Sequence, residues 1–539
     1  MLNLLLFFLQ PMYKENGCNN LVNSISLQIF KNLFISIAEE MGVTLGRTAY
    51  SPNIKERLDY SCAVFDKKGQ MIAQAAHIPV HLGSMSSSIE QAIKNQDCLE
   101  GDIVILNDPY LGGTHLPDIT LVSPIYIDKN LEGFIANRGH HADIGGMTPG
   151  SLPLSTDIHQ EGLIIPPIKL YSKNILNEGV FQLICRNSRT PGERRGDLSA
   201  QIASIRTGEI RMKDVITKYG ITEVSEHMEA LMNYSEVLMK KTISKIPNGF
   251  YTFTDFMDDD GISNEKVQIT VAIDVNNESV NVDFTGTSDQ RYGCINTPYA
   301  VARSATLYVF NCLAGQENIP SNEGCSRPIR IIIPSDNLLN PSPPHGVAGG
   351  NVETSQRIVD VLFGALAKAL PDIIPAASQG TMNNLLFGGI HPDTKESYVY
   401  YETIAGGMGA RPTKAGLNAI QTHMTNTLNT PIESMEFQFP IRIIKYSIRK
   451  DSGGNGKFNG GNGITKEIKF LGPAQATILS ERRNTAPYPL AGGKPGVTGK
   501  NTLIKNNGEE IILPSKSTFD VSAGDSIQIE TPGGGGWGS

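Results

Sequence analysis

Most of this chain consists of short apolar runs closed off by Gly, Pro, Asp or Asn, and only three stretches hold a helical repeat. That mixture excludes both an all-helical bundle and a purely β fold. The first helical stretch runs from Leu21 to Met41, with Leu21, Ile25, Ile29, Leu33, Ile37 and Met41 at four-residue steps and Phe30 and Phe34 beside them, which predicts a wide buried face. The second runs from Gly196 to about Ser244 and contains Met228, Leu231, Met232, Val237 and Leu238. The third, Thr354 to Leu370, stops before Pro371.

Between them lie strand signals. Ser61–Phe65 and Gln70–Ala75 flank Asp66-Lys67-Lys68-Gly69, a hairpin turn whose glycine suits a positive φ. Ile103–Leu106, Ile119–Tyr126 and Gly133–Asn137 read as neighbouring strands, and Phe250–Phe256, Lys266–Asp274 and Ser279–Phe284 as an antiparallel meander. The Gly-rich C-terminal part adds Ile441–Ile448, Ile464–Phe470, Ala476–Leu479, Asn501–Ile504 and Glu510–Leu513. The expected fold is α+β and multidomain, with mixed sheets and helices. It divides into an N-terminal α+β domain over 13–245, a middle α+β domain over 246–430 and a β-rich C-terminal domain over 431–539.

A net charge of −8 without a basic run gives no electrostatic footprint for nucleic acid. The seven cysteines (Cys18, Cys62, Cys98, Cys185, Cys294, Cys312, Cys325) include no Cys-x-x-Cys pair, so neither a disulfide framework nor a thiolate zinc site is indicated, and a reducing cytoplasm is expected. The apolar opening, Met1–Gln10, lacks a positive leading region and a cleavage site and is too short to span a bilayer. It reads as an appended end, with Met12 as the expected start and no membrane role.

Chemistry concentrates in two segments, Asn-Asp-Pro-Tyr-Leu-Gly-Gly-Thr-His-Leu-Pro-Asp (Asn107–Asp118) and Arg-Gly-His-His-Ala-Asp (Arg138–Asp143). Five of the ten histidines (His77, His81, His115, His140, His141) fall between 77 and 141, with Asp59, Asp108, Asp118 and Asp143 in or beside that window. Imidazole and carboxylate are the usual ligands of a catalytic divalent metal, and His115, Asp118 and His140 supply three. Pro117 disfavours helix between His115 and Asp118, so the pair must converge as a loop clasp, with Gly112 and Gly113 letting the loop fold tightly. Both segments are expected in loops at strand ends. If the strand pleat continues, only one ring of His140-His141 faces the metal, leaving the other for a supporting or substrate role. Hydrogen-bonded loop residues remain the alternative, since no fixed helix geometry ties these ligands together.

Other features are weaker. The glycine segments 452–456, 460–463 and 533–536 lack the Lys-Ser or Lys-Thr of a phosphate loop and read as tight turns. Cys62 is placed by sequence near the site, but a small core cysteine is the plainer reading. Arg186, Arg189, Arg194 and Arg195 can clamp an anion or pair with Glu193 and Asp197.

Several long motifs, in order, resemble one family. They are Glu56–Asp66, His77–Met85, the two segments above, Gly-Gly-Asn-Val-Glu-Thr-Ser-Gln-Arg (Gly349–Arg357), Ser378–Asn384, Thr425–Glu433 and the closing Thr-Pro-Gly-Gly-Gly-Gly-Trp-Gly. Together they are similar to the B subunit of ATP-dependent hydantoinases and 5-oxoprolinases, related to the large subunits of acetone and acetophenone carboxylases. The resemblance implies a two-subunit reaction, in which an ATP-binding hydantoinase A-like partner phosphorylates the carbonyl oxygen of a small cyclic amide and the B chain opens the ring within a hetero-oligomer. It also implies a divalent metal (Mn, Zn or Fe) on His115, Asp118 and His140, with Glu56 or, second, Asp59 as a further ligand. His141 or His81 then moves the proton, with Asp143 beside them, and Asn107, Asp108 and Arg138 contact substrate. The alternative is an ATP-dependent ketone carboxylase; the carboxylase large subunits are typically longer, so the length here favours hydrolysis.

Overall fold

The computed structural model describes residues 22–75, 78–81, 83–315 and 319–539; Met1–Gln10, Met12, Leu21 and His77 lie outside them. Helix α1 (Ser24–Thr48) begins where the Asn23 side chain accepts hydrogen bonds from the Ile25 and Ser26 N–H groups. It buries Phe30, Phe34, Ile37, Met41 and Leu45, whereas Ile25 and Ile29 are exposed. Four-residue steps drift about 40° each around a 3.6-residue helix, so the expected row leaves the buried face at one end.

After α2 (Pro52–Lys55), the first unit contains β1 (Tyr60–Asp66), β2 (Met71–Gln74), α3 (Ser84–Asn95), β3 (Ile103–Leu106), β4 (Asp118–Ile127), β5 (Asn130–His140), β6 (Ile168–Ser172) and β7 (Ile175–Leu176). Helices α4 (Glu178–Arg186), α5 (Pro191–Tyr219) and α6 (Ile221–Ile243) follow, α5 and α6 being separated by Gly220 at φ 84°. The strands form one antiparallel sheet ordered β2-β1-β5-β4-β3-β6-β7. Every residue of β1 is buried because both faces of the sheet are covered. Cys62 and Val64 join the core with α1 and α5, and Ala63 and Phe65 join Met85 and Ile89 of α3. The hairpin turn is as expected, with Gly69 at φ 79°.

The second sheet contains β8 (Gly249–Met257), β9 (Val267–Asn276) and β10 (Ser279–Asp283), the expected meander, and adds β11 (Ile329–Ile332) parallel to β10. Inward residues Val267, Ile269, Val271 and Ile273 of β9 pack with residues of α7 (Tyr299–Ala314) and α8 (Ser355–Ala369).

The remaining elements are β12 (Asn384–Ile390), β13 (Ser397–Thr403), α9 (Ile432–Gln438), β14 (Ile441–Arg449), β15 (Gly463–Phe470), β16 (Ala474–Leu479), β17 (Lys500–Ile504), β18 (Glu510–Leu513), β19 (Lys516–Val521) and β20 (Ser526–Glu530). They form sheets ordered β13-β12-β16-β19 and β14-β15-β20-β17-β18 around a core that includes Phe387, Tyr400, Ile468 and Ile527. The third sheet thus draws two strands from each side of residue 431. The glycine segments expected as turns are close crossings of backbone: a Cβ on Gly533 would lie 1.8 Å from the Ser452 carbonyl oxygen. Among the described residues no helix is long and apolar enough to cross a membrane.

Candidate metal centre

Asp118 is the first residue of β4 and His140 the last of β5, and the antiparallel register sets them directly opposite each other. They are therefore cross-strand neighbours on one face rather than the loop residues expected. His115 reaches them from the preceding loop, which is tightened as the glycines predict: Gly112 has φ 86°, and a Cβ on Gly113 would lie 2.4 Å from the Asn107 carbonyl oxygen. The Asp118 N–H donates to the His115 carbonyl at 3.1 Å and the His141 N–H to that of Pro117 at 2.8 Å, which ties loop to strand.

The result is a buried triangle. Asp118 Oδ1 lies 3.3 Å from His115 Nε2 and 3.2 Å from His140 Nδ1, and the two ring nitrogens are 3.2 Å apart. Ligands ~2.1 Å from one shared divalent ion stand about 3.0–3.4 Å from each other, so the spacing fits a common cation. A ring N–H points along one direction and does not serve two acceptors, whereas a cation between the three atoms satisfies all of them. Asp118 Oδ1 is buried and has no hydrogen-bond partner, as a ligand atom requires. The donor set of nitrogen and oxygen suits Mn, Zn or Fe.

Electrostatics point the same way. Burial pushes the Asp118 carboxyl up, but the rings of His115 and His81 outweigh it and hold it well below the usual carboxylate range. Burial lowers the pKa of His140, keeping it neutral and able to ligate. The other Asp118 oxygen, Oδ2, accepts from Thr114 Oγ1 at 2.5 Å and faces His81 Nε2 at 3.3 Å. His81 Nδ1 lies 2.9 Å from Ser61 Oγ. A cavity of about 20 Å³ adjoins the triangle, lined among others by Asp59, His81, Asp118, His140, Asn351 and Tyr401. That is room for about one water.

The other expected residues divide sharply. Asp59 lines the cavity but stands outside the triangle. Glu56 is not brought there: its Oε1 accepts from Ser434 Oγ at 2.8 Å, because the chain turns after α2 and carries Asp59 inward instead. His141 points to the opposite face from His140, as the pleat dictates. It is held between Arg194 and Gln201 of α5, and burial together with the Arg194 charge lowers its pKa strongly. Asp143 binds Arg189 at 3.0 Å and caps the Gly145 and Gly150 N–H groups.

Nor do the three expected substrate contacts face the cavity. Asn107 donates to the Leu116 and Leu163 carbonyls and accepts from the Ile165 N–H, so it braces the His115 loop. Asp108 caps the turn at Tyr110. Arg138 is fully buried and donates to Thr120, Ser84 and Ser88, joining β5 to α3. Cys62 lies in the helix-side core, where burial pushes its thiol up to about 12. In the arginine cluster, Arg189 is held by Asp143, and Arg194 by Asp197 at 3.1 Å and Glu193 at 3.6 Å.

Sequence reasoning gave no role to Tyr401 and Asn351 of the cavity wall, or to Arg57, which braces Tyr401 without lining the cavity itself. Arg57 donates to the Tyr401 carbonyl at 2.8 Å and to Thr403 and Thr427, and lies over the Tyr401 ring. Tyr401 stacks on His140 with centroids 4.8 Å apart. Asn351 faces the cavity from the turn before α8. Arg57 and Asn351 lie in motifs that carried the resemblance, which was a usable signal; Tyr401 had none.

Comparison with known proteins agrees with this resemblance. The family model described as Hydantoinase B/oxoprolinase matches residues 23–539. The chain is 40% identical to 5-oxoprolinase 1 of Arabidopsis thaliana over 96% of its own length, but spans only 42% of that relative. It is 33% identical to the B subunit of a putative D-/L-hydantoinase from a Pseudomonas species, covering 96% of this chain and 90% of that one. Among solved structures, the ATP-dependent caprolactamase of Pseudomonas jessenii superposes with a TM-score of 0.90 at 26% identity, covering 96% and 92% of the two chains. Acetone carboxylase in its nucleotide-free form superposes with a TM-score of 0.85 at 18% identity, covering 95% and 75%, which shows a shared fold.

Proposed function

The chain belongs to the hydantoinase B/oxoprolinase family, and on that premise we propose that it is the B-type subunit of an ATP-dependent cyclic amidohydrolase. It acts in a cytoplasmic hetero-oligomer with a hydantoinase A-type partner that binds ATP and phosphorylates the carbonyl oxygen of a five-membered lactam or imide, of the 5-oxoproline or hydantoin kind. The observation that carries this reading is the buried convergence of His115, Asp118 and His140 beside a cavity the size of a water.

A divalent ion held by these three side chains would supply Lewis acidity and a water acidified toward neutrality. The chain's own groups do the rest. Thr114 and the tightened loop hold Asp118 in place, and Tyr401 fixes the plane of the His140 ring. Ile78, Val80, Val352, Met382 and Met424 line the same cavity and limit bulk water. To His81, which borders the cavity and contacts Ser61, we assign the role of receiving a proton from a water there and returning it to the leaving ring nitrogen. His141, locked against α5, serves instead to hold the end of β5.

The test is ATP-dependent ring opening by the chain mixed with its A-type partner, for wild type and His115→Ala. Turnover lost in the variant with its fold intact is the expected result. Normal turnover in His115→Ala would refute the assignment, and bicarbonate-dependent consumption of a ketone would move the chain to the carboxylase reaction.

A further inference from the structure

Part of the cavity wall is formed by an unusual piece of backbone. Gly350–Thr354 is a single wide, π-helical turn before α8, a local geometry that aims side chains inward and recurs at functional sites. The turn is fastened on all sides: a Cβ on Gly350 would lie 1.8 Å from the Asn296 carbonyl oxygen, Thr354 Oγ1 donates to the Ile295 carbonyl at 2.5 Å, and Ser355 Oγ donates to that of Asn351 at 2.7 Å. Glu353 accepts from the Met382 N–H and from Asn384 Nδ2 through Oε1, and although its Oε2 has no partner it does not line the cavity. Asn351 differs. Its side chain is 97% buried (3% exposed) and borders the cavity, and its Oδ1 has no hydrogen-bond partner. A buried amide oxygen left unpaired is unfavourable and is retained where something else completes it.

We infer that Asn351 is a positioning residue for the attacking water, accepting one of its hydrogens through Oδ1. The inference rests on the proposed ring opening. There the water oxygen bonds to the carbon that carries the phosphorylated oxygen as the ring C–N bond breaks; one water hydrogen passes by way of His81 to the leaving nitrogen, which keeps its own, the other is released as a proton, and the resulting acyl phosphate reacts with a second water to give carboxylate and inorganic phosphate. With Asn351 and His81 both holding the water, its lone pair is directed at the carbon before reaction begins.

The test pairs high-resolution crystal structures of the metal-supplemented wild-type chain and Asn351→Leu with steady-state kinetics in the presence of the A-type partner. The expected result is an ordered water within about 3.2 Å of Asn351 Oδ1 in the wild type, lost or displaced in the variant, with metal content unchanged. Kinetically, kcat falls about a hundredfold at nearly unchanged KM, and Asn351→Asp, which keeps an acceptor, recovers part of the loss. Should Asn351→Leu not fold, Asn351→Gln moves the acceptor by one methylene and is read in the same way. No water at Asn351 in the wild type, or an unchanged kcat in the variants, overturns the inference. A water present in the wild type and displaced in the variant, in a chain that opens no ring with its partner, would support the water site and refute the proposed function.

Discussion

Arg138→Met separates a structural arginine from a substrate-binding one. The side chain is fully buried, and the Asp118 carboxylate favours its charge without outweighing burial. Its guanidinium donates to Thr120 Oγ1 at 2.9 Å, Ser84 Oγ at 2.6 Å and Ser88 Oγ at 2.7 Å. At about 1.5–3 kcal/mol for each charged hydrogen bond, these contribute roughly 4–9 kcal/mol. Burial opposes them, pushing the pKa from 12.5 to about 10, which disfavours the charged form by roughly 3 kcal/mol. Methionine keeps the apolar stem and removes both effects. Ser84 and Ser88 retain backbone acceptors in Val80 and Gly112, so little is left unpaired. The net loss is about 1–6 kcal/mol. Urea unfolding followed by circular dichroism should show an earlier transition, with metal content and KM close to wild type. An unchanged transition with a KM raised tenfold or more would refute the reasoning and restore Arg138 as a substrate contact.

Three further outcomes follow from the same geometry. His81→Gln should lower kcat about a hundredfold while keeping the metal, whereas His141→Gln, altering a residue tied to Arg194 and Gln201, should cost stability and leave kcat within a few-fold; the reverse pattern in paired kinetics and melting curves would exchange their roles. Glu161 is buried with its carboxyl raised from 4.5 to about 7, chiefly by burial. The folded chain therefore holds a proton that the unfolded chain releases, and stability falls as pH rises from about 4.5 to 7. Glu161→Gln should flatten that slope and be more stable above pH 7 by up to roughly 3 kcal/mol, and a denaturation series showing the same slope in both proteins would contradict this. Gly533→Ala should destabilise the C-terminal crossing by several kcal/mol, about the level expected for a backbone clash, because the added Cβ meets the Ser452 carbonyl at 1.8 Å. The emission of Trp537, the single tryptophan, reports it directly.

Local order was legible where one short-range rule governs it. The Gly69 hairpin, the β8–β10 meander, the end of α8 before Pro371 and the C-terminal strands all follow from turn residues and period-two patterning. The α1 face was partly misread because a four-residue step is not the helical period, and α3 and α7 were missed. Within β1 every position is buried, so alternation vanished from the sequence where two faces are covered at once. The triangle of His115, Asp118 and His140 was found because its members are close in the chain and chemically distinctive. Their strand-end register was not, since it depends on pairing Asp118 with His140 across β4 and β5. Arg138, Asn107 and Asp143 looked functional by type and neighbourhood, yet their partners are backbone groups, hydroxyls and, for Asp143, the Arg189 guanidinium, which only the folded chain brings near. Asn351 and Tyr401 reach the cavity from more than two hundred residues away, beyond any spacing argument.

The central claim is that one ion sits between His115, Asp118 and His140. Elemental analysis of the purified chain and of His115→Ala, after supplementation with Mn, Zn and Fe, tests it most directly. About one divalent metal per chain in the wild type and a marked loss in the variant is the predicted result. No metal in the wild type even with the A-type partner present, or equal metal in both proteins, would contradict the account.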